Sequence, residues 1–368
     1  MTLALSALLL VATRLAALDP VATTGHHWRW IRRDQFGFGD WLCSHGGSGP
    51  LTFRALLPES IDMHGVVLLN SLLAAPVSCV LGASPATASV LAAGWSAAAL
   101  VLWASALRRL FGARPALIFI LFWLAPPPPL FATTAFLMGS HVEGMALAGL
   151  VLHLSFRRSQ QQHVRLFLAA GPLLFLYKPL VVLLPLSLAF AGRRLEPSMR
   201  LSALRALLLG FAPWAVLALV FGVGGWQLID GHPEVTWLNF MHCPGGDLPA
   251  LAVRVGGQLS NGLPRLFPAL CAACACIVFS VALRRGDRTR RMAAVWLVLT
   301  PMLYLGVLDL SCHAYLSERY LLLLHPLGFA LVAVALGRVP RGIGLLAAVG
   351  VLGALWWGSP LRFDVLFE

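Results

Sequence analysis

Long apolar runs alternate with short, mostly basic connections along this chain, and one extended polar stretch near the start interrupts the rhythm. Apolar runs at 1–18, 86–107, 115–133, 142–156, 166–177, 179–191, 203–223, 266–283, 292–309, 320–337 and 342–358 predict helices. Most approach the roughly 20 residues that a helix needs to cross a bilayer. Because the runs are continuous rather than alternating, a membrane β-barrel is excluded. The pattern predicts an all-α polytopic membrane protein with about 11 transmembrane helices, residues 1–368 forming a single transmembrane domain.

Composition agrees: hydrophobic residues make up 59% of the chain, charged residues 11%, and mean hydropathy is +0.81. A soluble domain carries roughly a quarter charged residues. The net charge of +12 raises the question of nucleic acid, and its distribution answers it. With the N-terminus inside, the inner connections are 108–114, 157–165, 192–202 with Arg205, 284–291, and Arg338 with Arg341. They collect seventeen arginines and only two acids, Glu196 and Asp287. This is the positive-inside signature of a membrane protein, so no nucleic-acid partner is expected; the bilayer is.

The same charge rule decides how 66–81 is read. As a full span, VVLLNSLLAAPVSCVL would move the arginines of 108–114 outside. It is therefore expected to lie at or re-enter the outer interface, in keeping with its Asn70, Pro76 and Gly82. The first apolar run lacks a basic leader and a clear cleavage motif, so an uncleaved first span is expected.

Candidate chemistry gathers on the outer side. The first outer loop, 19–85, holds Asp19, Asp34, Asp40, Glu59 and Asp62 with His26, His27, His45 and His64, and reads as the catalytic loop. Four prolines, Pro126–Pro129, must break the span around them, because proline cannot continue an α-helix. Just beyond lie Ser140, His141 and Glu143 at the mouth of the next helix. There Glu143 either complements the helix dipole or joins a site with the first loop. Lys178, the sole lysine, occupies a turn between two short runs, where an ionisable residue either marks a functional site or snorkels to headgroups. Arg319 with Tyr320 closes the series: it either neutralises Glu318 or pairs with a lipid phosphate.

Other polar features carry less. The second outer loop, 224–265, is long enough to cap a cavity but shows no ligand spacing. Cys271, Cys274 and Cys276 sit inside an apolar run with no accompanying histidines and read as small packing residues. Cys43, Cys243 and Cys312 fall outside, where an oxidising compartment permits one disulfide among them without indicating which.

In layout and in three patches the chain resembles the GT-C glycosyltransferases, the superfamily of the protein mannosyltransferases and lipid A aminoarabinose transferases. Residues 66–117 look like that superfamily's interfacial helix, second span and RRLFG-R turn; FLYKPLVVLLPL resembles its short hairpin, with Lys178 at the lysine position. SERYLLLLHPLGFAL resembles its RYLLPLYPAL patch, with Arg319, Tyr320 and Pro326 in register. The resemblance implies transfer of a sugar from a polyprenyl-phosphate donor to a lipid, glycan or protein acceptor on the outer face. The superfamily's catalytic carboxylate lies in the first outer loop, often as an acidic pair; here no adjacent pair exists and Asp34 and Asp40 stand nearest. By the same likeness Lys178, Arg319 and Tyr320 would meet the phosphate, and His64, His141 and Glu143 would line the site or hold a divalent cation, Mg or Mn.

Two other classes fit the same composition. A transporter or flippase of a lipid-linked anion would use the broken helices and Lys178, although no internal repeat is visible. A non-catalytic scaffold would account for the missing acidic pair. An Ala/Leu/Arg-rich composition with one lysine points to a bacterial inner membrane, with the active loops extracytoplasmic.

Overall fold

The structure, a computed structural model, describes residues 3–16, 36, 42–43, 66–137, 141–157, 159–221, 267–285, 287–310 and 322–358. Asp34, Asp40, His64, Arg319, Tyr320 and the second outer loop, 224–265, lie outside the described residues. Among those described, the chain is helical without strands. The helices are α1 (Leu3–Ala16), α2 (Val66–Leu81), α3 (Pro85–Phe111), α4 (Ala113–Leu124), α5 (Pro128–Ala135), α6 (His141–Ser155) and α7 (Gln160–Leu176). A 3₁₀ turn, Lys178–Val181, leads to α8 (Leu183–Gly192), α9 (Pro197–Phe221), α10 (Phe267–Arg285), α11 (Arg288–Leu310), α12 (Leu324–Leu336) and α13 (Arg341–Gly358).

Helix α3 is the one described helix long and apolar enough to cross a bilayer by its own length and composition. At 27 residues it is about 40 Å long. The other apolar helices are shorter or interrupted, for instance by Pro172, Pro213 and Pro301. Large apolar side chains nevertheless point outward from many of them: Leu8 on α1, Leu208 and Leu209 on α9, Met302 on α11, and Leu346 and Trp357 on α13. Apolar surface on this scale does not face water in a stable monomer.

The centre of the bundle is built on α3. Its Trp103 is fully buried and stacks on Phe119 of α4, which stacks in turn on Trp123, with centroid separations of 5.9 and 5.7 Å. Each indole N–H is spent on a neighbouring helix or helix pair: Trp103 donates to the Met145 carbonyl at 2.9 Å and Trp123 to Ser96 at 3.1 Å. Helices α7 and α9 meet backbone to backbone, since a Cβ on Gly171 would run into the Gly210 carbonyl and one on Gly210 into that of Leu168. Small residues permit such contact where lipid supplies no hydrophobic drive.

The four-proline break is where sequence and structure explain each other most directly. A helix closes each carbonyl with the N–H four residues on, and Pro127, Pro128 and Pro129 have none to offer Trp123, Leu124 and Ala125. Arg14 of α1, fully buried, reaches in to replace them. Its Nη2 donates to Trp123 O at 3.0 Å and its Nη1 to Leu124 O at 3.4 Å, while Nε donates to Thr134 Oγ1 of α5 at 2.8 Å. The guanidinium also lies 4.3 Å from the centre of the Phe131 ring. Trp356 of α13 donates to the third carbonyl, Ala125 O, at 3.1 Å.

At the arginine-rich end, His153 ties α6 to α3. Arg157 Nε donates to its Nε2 at 3.2 Å, which leaves the proton on Nδ1, 3.0 Å from Ser105 Oγ. Arg109 completes the clamp by donating to the His153 carbonyl at 2.7 Å.

One expectation about cysteines is corrected. Cys43 is bridged to Cys79 of α2, not to Cys243 or Cys312, which lie outside the described residues. Cys79 lies on α2, the helix expected at the outer interface, and the bridge ties that helix to the first loop.

Candidate functional site

Two of the singled-out polar residues open helix α6. Glu143, in its first turn, sits where the helix dipole favours an anion, and it has no exposed surface. His141, two residues earlier, is buried as well. A carboxylate so placed requires hydrogen-bond donors.

One donor comes from α2. Asn70, completely buried, donates through Nδ2 to Glu143 Oε1. Its own Oδ1 accepts from Trp95 Nε1 of α3 at 2.8 Å. Because an indole N–H only donates, this bond fixes which end of the amide faces which neighbour. The carbonyl meets Trp95, and the NH₂ is turned toward the carboxylate. Glu143 Oε2, equally enclosed, has no hydrogen-bond partner among the described residues.

The lysine turn closes on the same helix end. Gly144 follows Glu143, and a Cβ there would collide with the Tyr177 ring. Only glycine lets that ring lie on the α6 backbone. Tyr177 is buried and caps α7, with Leu180 N donating to its carbonyl at 3.1 Å. Lys178 is the next residue and the first of the 3₁₀ turn. The fold thus brings the turn that starts at Lys178, the opening of α6 and the first half of α2 together.

The loop carrying Asp34 and Asp40 is anchored onto this framework at two described points. Phe36 has no exposed surface and belongs to the hydrophobic core, and Cys43 is bonded to Cys79, nine residues along α2 from Asn70. His64 precedes α2 by two residues in sequence, and Pro326, from the last resembling patch, is buried in α12. As for a cation, no group of three His, Cys, Asp or Glu stands together among the described residues.

Three participants were not among the candidate site residues read from the sequence: Asn70, Trp95 and Gly144. Asn70 does leave a trace, as the one polar amide within an otherwise apolar helix.

No protein-family model matches this sequence, and no curated protein matches it either. Among solved structures, it is similar to the crystal structure of ArnT from Cupriavidus metallidurans bound to undecaprenyl phosphate. The likeness has a TM-score of 0.54 at 19% identity and covers 94% of this chain and 63% of that one. This chain therefore spans less than two thirds of the ArnT length. What it has in common with ArnT is the fold.

Proposed function

We propose that this chain is an integral membrane glycosyltransferase that moves a sugar from a polyprenyl-phosphate donor to a lipid, glycan or protein acceptor on the outer face, with its helices crossing the bilayer about 11 times. The reading is carried by the likeness over 94% of the chain to ArnT, a protein solved with undecaprenyl phosphate bound. It is supported by Glu143, a buried carboxylate of which one oxygen has no hydrogen-bond partner among the described residues, on the helix end that packs against Tyr177 beside the Lys178 turn.

The transfer is a substitution at the anomeric carbon. The acceptor oxygen bonds to that carbon as the bond to the phosphate oxygen breaks, and polyprenyl phosphate leaves with the electron pair. A carboxylate of the first outer loop, Asp34 or Asp40, takes the acceptor hydroxyl's proton as general base. Lys178 and Arg319, with Tyr320, balance the charge that grows on the departing phosphate. His64, His141 and Glu143 line the sugar end, and Glu143 Oε2 offers the hard oxygen that a sugar hydroxyl or a magnesium or manganese ion would take. A bound cation would supply further charge neutralisation.

The test compares Asp34→Asn and Asp40→Asn for sugar transfer in proteoliposomes. Loss in at least one supports a loop base, and full activity in both removes that role. A carrier separates from a transferase in the same vesicles: it moves the lipid-linked anion across the bilayer without releasing polyprenyl phosphate.

A further inference from the structure

We propose that Asn70 is a positioning residue for Glu143, so that α2 controls the aim of the site's buried carboxylate. The inference rests on the transferase reading and adds to it a residue and a helix. Asn70 touches Glu143 directly, on one oxygen only. Trp95, by donating at 2.8 Å to the other end of the amide, prevents it from flipping. The carboxylate is thereby held through Oε1 and presents Oε2 without a partner among the described residues. A purely structural carboxylate would be expected to have both oxygens occupied, since a buried acceptor left without a donor is destabilising.

The arrangement also links two parts of the site. Asn70 and Cys79 lie on the same helix, and Cys79 is bonded to Cys43 of the loop that carries Asp34 and Asp40. A shift of α2 therefore moves the loop's anchor and the Glu143 hydrogen bond together. The other titratable groups on the described elements at this end are His141 on α6, Tyr177 and Lys178.

The experiment uses the full-length protein in nanodiscs, with kinetics and thermal midpoints measured for Asn70→Ala, Asn70→Asp, Trp95→Phe and Glu143→Gln, and for Asn70→Ala and Asn70→Asp each combined with Glu143→Gln. Asn70→Ala is expected to lower kcat about 10- to 100-fold per folded molecule with little change in KM for the donor, because the carboxylate is misplaced, not removed. Trp95→Phe gives a smaller loss of the same kind. In the Glu143→Gln background Asn70→Ala costs nothing further, the non-additivity expected of two residues acting through one contact. Asn70→Asp sets carboxylate against carboxylate, so its thermal midpoint falls away from wild type as pH rises from about 5 to about 8, and Glu143→Gln reduces that dependence to the smaller one of a lone buried Asp.

Additive kcat losses, or an Asn70→Ala variant that keeps wild-type kcat while its midpoint drops, overturn the positioning role and leave the transferase reading in place. A pH-independent Asn70→Asp gap overturns the contact itself. A wild type that turns over no donor, with the pH-dependent gap still present, overturns the transferase reading and the positioning role, with the geometry intact.

Discussion

Arg14 Nη2 donates to the Trp123 carbonyl at 3.0 Å, so a charged residue in the first helix supplies a bond that a proline four residues after Trp123 cannot. The same side chain serves Leu124 O and Thr134 Oγ1, and so bridges the two halves of the broken span. Replacing Arg14 with Leu removes the donor from the buried Trp123 carbonyl, at a cost of about 1–3 kcal/mol, and also from the partly buried Leu124 carbonyl. The expected result is a clearly lower thermal midpoint in detergent for Arg14→Leu, with Arg14→Lys intermediate because a single ammonium cannot reach all three acceptors. An Arg14→Leu protein as stable as wild type would show that another group satisfies the break.

The α7–α9 contact gives a second prediction. Gly171 and Gly210 allow two backbones to touch, and no side chain at either position can yield to an added methyl. Gly210→Val is expected to abolish accumulation of folded protein, measured as the monodisperse fraction in size-exclusion chromatography. Gly353→Ala, where a Cβ meets open space, is the matched control and should behave as wild type.

The Cys43–Cys79 bridge closes a segment with a sequence separation of 36. On loop-entropy grounds a bridge of that span contributes about 3–4 kcal/mol. Cys43→Ser and Cys79→Ser should therefore lower the thermal midpoint by similar amounts, and the double variant by no more than either single one. Reduction by dithiothreitol should lower the midpoint of the wild type but not of the variants. A midpoint unaffected by reduction would mean that the bridge is not formed in the purified protein.

His163 provides the pH-dependent case. It lies in the connection between α6 and α7's apolar run, nearly inaccessible, and burial together with the neighbouring charge of Arg194 holds its pKa below the usual 6.5. The folded state thus favours the neutral ring and binds fewer protons than the unfolded state. The penalty is absent above the unfolded value near 6.5 and grows as pH falls from there toward the lower folded value. His163→Gln should flatten the acid-side loss of thermal midpoint relative to wild type, with the two curves parallel at higher pH.

The helical layout was largely legible in the residues themselves. Apolar runs set the positions of the helices, and four prolines required the α4–α5 break. These features depend on local composition and on backbone chemistry, which one sequence displays. The partners were not legible. Asn70 and Glu143 are 73 residues apart, and nothing in either segment announces the other. Arg14 is a lone charge in the first apolar run, and its acceptors are carbonyls orphaned about 110 residues later. Cys79 escaped pairing because it lies within an apolar helix, whereas the paired cysteines were sought in polar loops. Lys178 was recognisable as a turn residue from Pro179 and the short flanking runs, but its proximity to α6 depends on the absent side chain of Gly144.

The central claim is sugar transfer from a polyprenyl-phosphate donor, and it is tested most directly by incubating purified protein with a mixed pool of polyprenyl-phosphate sugars and measuring released polyprenyl phosphate. The comparison is with the Asp34→Asn/Asp40→Asn double variant. The account predicts release by the wild type and its loss in the double variant. Absence of release from every donor, in protein that remains folded and monodisperse, would contradict it.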